Sequence, residues 1–365
     1  MTANPWSPSA RTHEPMEIGA PVRDSSAWDP DALRGTDAWV YQLSEAEIEE
    51  IHDAVAEAEA RGGEIMEITR ESFALPGLAP ALADIKAEIR DGRGMALIRG
   101  LPTENRSRRQ LATAFWGLGC HVGTAKSQNG RGHLLGHVLD LAGKGFKTPK
   151  VRGYMNGSAL EFHTDRTDIL SLCCLAPAKT GGEHRIASSP AAYNAMLEQR
   201  PDLVRELTFD FYRTRNGEIP VGETKPYIRQ PVFSTKDGYF TGRSSGTKVM
   251  QAQDLPGVPK LTPAQLEANA LYLKLAQELS LDMELQAGDI TYVNCHVTLH
   301  ARTDFDDWPE PERKRQLLRL WLNDTEAQRP LVESVAREVN AGVVVDGMAY
   351  KTPLEPVVEG ELHLV

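Results

Sequence analysis

Apolar residues in the first third of the chain recur at helical spacing. From Ile48 to Ala58 they lie three or four positions apart, which is the spacing of one buried helix face. Ser44 and Glu47 have the spacing of a capping box at the start of this helix, and Gly62-Gly63 ends it. The same reasoning predicts helices over Ala79–Arg90 and Arg108–Leu118, with a buried strand over Gly94–Ile98 between them.

Short apolar segments of strand length predominate after about residue 156. Leu170–Leu175 is a continuous apolar run, typical of a strand buried on both faces. Asp237-Gly238 has the composition of a tight hairpin turn. Further strands are predicted at 208–213, 232–234, 239–241, 282–285, 290–293 and 317–322, and helices at 189–196 and 263–278. Many short strands with flanking helices indicate an α+β, β-rich fold, for which a jelly-roll barrel is the suitable β architecture.

Two segments carry no sustained period. Residues 1–40 are rich in Pro, Ser, Ala and Asp and are predicted to be an N-terminal arm without chemistry of its own. Residues 126–155 are rich in Gly and Lys and are predicted to form a long loop near a site. No internal repeat or linker is visible, so residues 41–365 are predicted to form a single domain with its core at about 94–325.

Composition narrows the classes of function. The chain has 365 residues, 41% of them hydrophobic, which is enough for a substantial core. With 40 basic and 51 acidic residues the net charge is -11, which disfavours nucleic acid and anionic membranes as partners and favours a small-molecule substrate. There is no apolar run of membrane-spanning length and no secretion-signal pattern, so the protein is predicted to be cytoplasmic. The oligomeric state is left open, with a homo-oligomer as one option.

Two groups of residues that could bind metal carry no metal prediction. The four cysteines lack CxxC spacing and are predicted to be reduced thiols in or near the core: Cys120, Cys173, Cys174 and Cys295. His133 and His137 have helical spacing, but the glutamate of a metalloprotease motif is missing between them. Ordinary packing or loop polarity is the prediction for both histidines.

The run Glu161-Phe162-His163-Thr164-Asp165 contains the most informative pattern of the chain. On a strand, residues two apart project to the same face, so His163 and Asp165 can reach one point. A second histidine would complete a site of two imidazoles and one carboxylate, which leaves positions open on Fe(II) for oxygen chemistry. His300 and His296 are the candidates, and the Leu-His-Ala-Arg context favours His300.

The order of the motifs resembles that of a known family. His163-x-Asp165, Gly181-Gly182, Gly288-Asp289, His300 and the stretch Arg315–Arg319 are similar to the Fe(II)/2-oxoglutarate-dependent dioxygenases of the taurine dioxygenase (TauD/TfdA) family, over about residues 94–325. The resemblance implies a double-stranded β-helix of the clavaminate synthase-like type. It also implies Fe(II) bound by His163, Asp165 and His300.

The same resemblance implies a binding site for the cosubstrate. Arg319 corresponds to the arginine that forms a salt bridge with the C5 carboxylate of 2-oxoglutarate, and Arg315 is placed as a helper. A guanidinium fork suits a carboxylate, and residues four apart on a strand share a face. His184 stands where the family often has a threonine that bonds the cosubstrate, and could donate a hydrogen bond in its place or be structural. The acidic insert 304–312 is predicted to lengthen a loop near the site mouth.

Two residues are candidates for contact with the substrate. Phe162 is predicted to form a wall of the substrate pocket, with ordinary core packing as the alternative. Arg243 is predicted to grip an anionic group of the substrate, with a solvated loop position as the alternative. The sequence does not identify the substrate, and a small compound with a carboxylate or an amine is preferred.

The predicted reaction couples the decarboxylation of 2-oxoglutarate to succinate and CO2, with O2, to the oxidation of a small organic substrate. Because a carboxylate occupies position 165, the resemblance implies hydroxylation, desaturation or cyclisation rather than halogenation. Two alternatives stay open at this stage. One is a non-catalytic binding protein on the same barrel, and the other is an iron oxygenase that does not use 2-oxoglutarate.

Overall fold

The computed structural model describes residues 4–141 and 155–356. Its helices are α1 (Pro30–Leu33), α2 (Glu45–Arg61), α3 (Ala79–Asp91), α4 (Arg108–Val122), α5 (Ser189–Gln199), α6 (Pro201–Glu206), α7 (Thr247–Ala252), α8 (Pro263–Glu278) and α9 (Glu333–Ala341). Its strands are β1 (Val40–Gln42), β2 (Met95–Arg99), β3 (Thr124–Ala125), β4 (Gly136–Leu139), β5 (Leu160–His163), β6 (Ile169–Ala176), β7 (Thr180–Gly181), β8 (His184–Ser188), β9 (Phe211–Thr214), β10 (Tyr227–Gln230), β11 (Phe233–Lys236), β12 (Tyr239–Gly242), β13 (Ser280–Met283), β14 (Ile290–Asn294), β15 (Thr298–Arg302), β16 (Phe305–Asp306) and β17 (Gln316–Asn323).

Two sheets organise the molecule. The major sheet has the strand order β1-β2-β14-β6-β17-β3, with β4 also paired to β17. The minor sheet has the order β13-β8-β15-β5, and all its pairs are antiparallel. Three two-stranded pairs complete the β structure: β9 with β10, β11 with β12, and β7 with β16.

The hydrophobic core is divided into three layers by these sheets. Between the sheets, residues such as Leu97 and Leu317 of the major sheet form one cluster with Ile186 and Met283 of the minor sheet. Helices α2, α3 and α4 cover the outer face of the major sheet, and α5, α6 and α8 cover that of the minor sheet. Two facing sheets are the arrangement of a jelly roll. The predicted α+β, β-rich fold with flanking helices is confirmed.

Alternation along β17 explains how the sheet presents polar groups to its inner face. Leu318 and Leu320 pack among the helices of the outer layer. Leu317, Arg319 and Trp321 point the other way and line the cavity between the sheets. Side chains on a strand alternate in this manner, so one strand contributes both to the core and to the site.

The predicted capping box at the start of α2 is confirmed. The hydroxyl of Ser44 accepts a hydrogen bond from the backbone N–H of Glu47 at 3.3 Å. The Glu47 carboxylate in turn accepts from the backbone N–H of Ser44 at 2.8 Å. Two N–H groups that no helix carbonyl could reach are thereby satisfied.

The two segments without a period are more ordered than their composition suggests. In the N-terminal arm, Arg11 lies 2.6 Å from Asp84 on α3 and also pairs with buried Glu88, and Trp28 is buried. The plain loop predicted for 126–155 is wrong for Gly136–Leu139, which forms β4 along β17. Backbone pairing with an apolar strand outweighs a composition rich in glycine. Residues 126–135 are irregular, as predicted, and Gln128 among them lines the cavity described below. Residues 142–154 lie outside the described residues.

The structure also bears on the predicted strands, the cysteines and the possibility of a membrane span. The apolar runs did not delimit the other nine described strands: β1, β3, β4, β5, β7, β8, β10, β15 and β16. All four cysteines are free thiols, and three of them are buried. Among the described helices, none has both the length and the apolar character that crossing a membrane would demand.

Candidate metal centre and its surrounding cavity

The pairing of β5 with β15 brings two histidines together. In the register of these antiparallel strands, His300 lies directly opposite His163, and their ring centroids are 4.1 Å apart. Asp165 follows two residues after the end of β5. One ligand atom from each of the three side chains lies within 4.8 Å of the other two, which is close enough for all three to bind one ion.

His163, Asp165 and His300 converge as predicted. The cause is not the shared strand face that the sequence suggested for His163 and Asp165. Strand β5 ends at His163, so Asp165 does not share a strand face with it. The chain turns after β5, and Asp165 is held from the major sheet. The indole Nε1–H of Trp321 donates to Asp165 Oδ2 at 2.8 Å, and Arg319 Nη1 is 3.7 Å from the same oxygen.

These neighbours keep Asp165 ionised. Burial by itself would raise the pKa of the carboxyl group. The positive charge of Arg319, the two imidazoles and the Trp321 hydrogen bond outweigh that effect and lower the pKa to about 2. Since both groups on the major sheet contact Oδ2, Oδ1 is the oxygen left for a metal ion.

The two histidines are held neutral, as metal ligands must be. Burial lowers the pKa of His163, and burial together with the neighbouring His163 lowers that of His300 further. His163 Nδ1 is 2.8 Å from the backbone carbonyl of Glu161. A carbonyl accepts only from an N–H, so the lone pair of His163 is on Nε2, the usual arrangement of a metal-binding imidazole.

A cavity of about 300 Å3 adjoins the three side chains. Its wall on one side of His300 carries His184, Arg302 and Arg315, all nearly fully buried. Both ring nitrogens of His184 lack a hydrogen-bond partner, as do Nε and Nη1 of Arg302 and Nη1 of Arg315. Burial lowers the pKa of Arg302 to about 9, and lowers that of Arg315. Among the described residues, no acidic side chain forms a salt bridge with Arg302 or Arg315, so this wall holds buried cationic groups with unused hydrogen-bonding capacity.

Arg315 reaches this wall past a glycine. Its Nη2 donates to the carbonyl oxygen of Gly182 at 3.2 Å. Gly182 has φ +79°, and a Cβ there would lie 2.9 Å from Arg315 Nε. The Gly181-Gly182 pair thus provides both the left-handed backbone and the space that the guanidinium occupies.

Arg319 has different surroundings. Its Nε donates to Gln128 Oε1 at 2.7 Å, and the Gln128 amide donates back to the Arg319 carbonyl at 2.8 Å. Its Nη1 faces Asp165. Although Arg315 and Arg319 share one face of β17, as predicted, Arg319 lies beside the candidate metal ligands and Arg315 lies away from them, beside His184.

Neither of the two candidate substrate contacts lines the cavity. Phe162 is buried in the cluster behind the minor sheet and does not line the cavity, because it points opposite to His163 on β5. This is the core alternative. Arg243 is not a solvated loop residue, since it is 3% exposed and donates to the carbonyl oxygens of Asp165 and Cys295 at 2.9 and 3.1 Å.

The rival histidines are engaged in other contacts. His296 Nε2 is 2.8 Å from Asp168 Oδ1, so His296 is outside the group of three. His137 lies on β4, with Nε2 2.8 Å from the carbonyl oxygen of Pro353. His133 forms a backbone bridge to Lys351, and neither His133 nor His137 is on a helix.

Several polar residues that line the cavity had no predicted role, and three of them bear on the candidate ligands or on the wall beside His184: Arg302, Trp321 and Gln128. Arg302 is two positions after His300 on β15 and shares its face, so strand alternation could have identified it. Trp321 stands in the same relation to Arg319 on β17. Gln128 lies in a segment without periodicity, and no pattern in the sequence marks it.

Comparison with known proteins assigns the chain to a class. The model of the taurine catabolism dioxygenase TauD, TfdA family matches residues 41–321. The chain belongs to this family, whose facing sheets and His-Asp-His group it has. It is therefore a dioxygenase of the class that depends on Fe(II), 2-oxoglutarate and O2.

Individual relatives are similar over most of their length. FR-33289 synthase of Streptomyces rubellomurinus is 30% identical over 311 residues, which cover 83% of this chain and 90% of that protein. Taurine hydroxylase-like protein SAT17 of Stachybotrys chartarum is 29% identical over 340 residues, which cover 90% and 86%.

Solved structures with the same fold are more distant in sequence. Asparagine oxygenase, solved with Fe(II), 2S,3S-3-hydroxyasparagine and succinate, has a TM-score of 0.61 at 19% identity, covering 78% of this chain and 93% of that one. The non-heme iron oxygenase OrfP, solved with Fe and alpha-ketoglutaric acid, has a TM-score of 0.59 at 15% identity, covering 84% and 99%.

Proposed function

We propose that His163, Asp165 and His300 hold the Fe(II) ion of a 2-oxoglutarate-dependent dioxygenase that oxidises a small organic molecule. The single observation that carries this assignment is the convergence of the three ligand atoms within 4.8 Å. Two neutral imidazoles and an ionised carboxylate are the donor set that suits Fe(II) with open positions. When bound, the iron supplies the activation of O2, with 2-oxoglutarate as the electron donor.

For the cosubstrate we favour Arg315 over Arg319 as the anchor of the distal carboxylate. Arg319 is 3.7 Å from Asp165, too near the iron ligands for a group at the far end of a five-carbon chain that chelates through its other end. Arg315, His184 and Arg302 offer the buried donors that lack partners. This exchanges the roles that the family resemblance implied for the two arginines.

Arg319 and Trp321 then have a positioning role. Both contact Asp165 Oδ2, so they orient the carboxylate with Oδ1 toward the metal and keep it ionised. Gln128 holds the Arg319 guanidinium in turn through the 2.7 Å hydrogen bond to Nε. Such outer contacts commonly change metal affinity by about 10 to 100-fold.

The test is succinate formation from 2-oxoglutarate by purified protein with Fe(II) and ascorbate, which proceeds slowly even without the substrate. His163→Ala is expected to abolish both succinate formation and Fe(II) binding, measured separately by anaerobic titration. His52→Ala, on α2 and outside the cavity, is the matched control. Equal turnover in His163→Ala and wild type would end the metal assignment. Fe(II) binding without succinate would favour the non-catalytic or the 2-oxoglutarate-independent alternative.

The remaining features of the proposal are coarser. We infer a cytoplasmic enzyme in which residues 41–365 act as one catalytic domain and residues 1–40 brace it, supported by the contacts of Arg11 with α3. Hydroxylation, desaturation and cyclisation are all consistent with a carboxylate at Asp165. A small molecule fits a cavity of about 300 Å3.

A further inference from the structure

A second, smaller pocket adjoins the cavity, and Arg315 does not line it. It has a volume of about 30 Å3 and shares part of its wall with the cavity through Thr164, Arg166, Ser244 and Lys248. Its floor is formed by Arg213 on β9, with Arg215 and Arg243 beside it. This smaller pocket is called the side pocket here.

The side pocket is lined by cations in excess of carboxylates. Among its described lining residues there are five cations and one carboxylate, that of Glu338: Arg166, Arg213, Arg215, Arg243 and Lys248. The carboxylate is already engaged, with Oε2 2.6 Å from Arg166 and Oε1 3.2 Å from Arg215. Arg243 donates to two backbone carbonyls and meets no carboxylate there.

Arg213 has no acidic partner among the residues that the structure describes. It is 5% exposed, and its buried Nε and Nη2 have no hydrogen-bond partner. Burial and the nearby Arg243 lower its pKa to about 9. A buried cation without a partner is costly, and proteins retain one where a ligand completes the pair.

The position of the side pocket relates it to the reaction. Thr164 and Arg166 flank Asp165, and Arg243 donates to the Asp165 carbonyl at 2.9 Å. A group bound here would lie beside the proposed iron ligand Asp165, in a pocket that neither His184 nor Arg315 lines. The rest of such a molecule would extend into the cavity over the metal.

We propose that the substrate carries a multiply charged oxyanion head group, of the phosphonate or phosphate-ester class, which the side pocket binds through Arg213 with Arg166, Arg243 and Lys248 around it. This rests on the proposed function in taking the metal as the place of reaction. Several oxygens and two negative charges match the two unpartnered nitrogens of Arg213 beside the buried Arg243 better than a monoanionic carboxylate does. Guanidinium groups are the usual ligands of such oxyanions.

The experiment is calorimetric titration of the iron-free, full-length protein with methylphosphonate, inorganic phosphate and acetate. Methylphosphonate and phosphate are expected to bind saturably, and acetate at least tenfold more weakly. Arg213→Met is expected to weaken methylphosphonate binding at least tenfold. Arg229→Met, an exposed arginine on the adjacent β10, is the control and is expected to bind as the wild type does.

Two further variants allow the titration to decide the proposal even if Arg213→Met does not fold or the probe binds elsewhere. If Arg213→Met does not fold, Lys248→Met on α7 removes another cation of the side pocket and is expected to weaken binding in the same direction. Arg315→Met tests whether the probe occupies the cosubstrate wall instead. Loss of binding in Arg315→Met but not in Arg213→Met, no saturable binding to wild type, or acetate binding as tightly as methylphosphonate would each overturn the proposal.

The titration needs neither iron nor 2-oxoglutarate. A failure of the proposed function would appear as absent succinate formation or absent Fe(II) binding, with anion binding intact. A failure of the side-pocket proposal would appear as absent or nonselective anion binding in a protein that still forms succinate. The two results are therefore separable.

Discussion

Replacing Arg315 with methionine should weaken 2-oxoglutarate binding more than any other single change on β17. Arg315 is 4% exposed, and its Nη1 has no partner in the ligand-free protein. Hydrogen bonds between charged groups contribute about 1.5 to 3 kcal/mol each, and truncating one side of a buried charged pair costs about 2 to 5 kcal/mol. A loss of about 3 kcal/mol corresponds to a change in Kd on the order of a hundredfold.

The assay is an anaerobic titration of 2-oxoglutarate into the Fe(II)-loaded protein, following the visible absorption of the chelate, with the KM for 2-oxoglutarate from succinate formation as a second readout. Arg313→Met is the matched control, because this arginine is exposed, precedes Arg315 by two residues and stacks on Trp308. Its Kd should equal that of the wild type. Thermal unfolding of each variant separates a binding defect from a loss of fold.

Arg319→Met provides the comparison that can refute the reasoning. Since Arg319 faces Asp165 and Gln128, its loss should weaken Fe(II) binding and change the 2-oxoglutarate Kd less than Arg315→Met does. A larger effect of Arg319→Met on 2-oxoglutarate would restore the assignment drawn from the family pattern. An Arg315→Met protein within about threefold of wild type would remove the argument from unpartnered donors, because about 3 kcal/mol predicts far more.

Two more predictions concern the metal ligand and the fold. Trp321→Phe removes the hydrogen bond to Asp165 Oδ2 and should weaken Fe(II) affinity by about tenfold, measured by titration with a competing chelator; unchanged affinity would show that the contact does not position the carboxylate. Gly288→Ala should lower the free energy of unfolding by more than about 2 kcal/mol, since Gly288 has φ +88° and a Cβ there would lie 1.8 Å from the Leu101 carbonyl. Gly257→Ala, with φ +77° and open space around it, should cost only the backbone penalty of about 1 to 2 kcal/mol in urea denaturation. Equal losses in the two variants would contradict the steric argument.

The parts of the fold that the sequence predicted are those with local causes. The capping box of Ser44 and Glu47 marks the start of α2 within four residues. The apolar run of β6 reflects burial on both faces, since it lies between β14 and β17 in the middle of the major sheet. In both cases the interactions that shape the element are encoded within the element itself.

The parts that could not be predicted depend on pairing between distant segments. The approach of His163 to His300 is set by the register of β5 against β15, which are separated by more than 130 residues. The position of Asp165 depends on a turn and on Trp321 of another sheet. No periodicity encodes either contact. The order of the motifs indicated the three candidate ligands, but the geometry that brings them together required the structure.

The two arginines of β17 show the same limit for function. Spacing of four correctly places Arg315 and Arg319 on one face, but it does not say which of them is nearer the metal. That depends on where β5 and β15 end relative to β17, and this relation puts Asp165 beside Arg319. Strand alternation therefore predicts which residues face the cavity. Only the packing of the two sheets determines which groups each of these residues contacts.

The charge of the whole chain and the charge of its interior also differ in what they indicate. A net charge of -11 argues against large anionic partners, yet the buried charges around the metal site are mainly arginines: Arg166, Arg213, Arg243, Arg302, Arg315 and Arg319. An acidic exterior repels extended polyanions, whereas a buried cationic lining retains a small anion that enters a cavity of low dielectric constant. Together they favour small anionic molecules. Arg315 lines the cavity and Arg213 lines the side pocket, so the two proposals assign the cosubstrate and the oxidised molecule to different arginines.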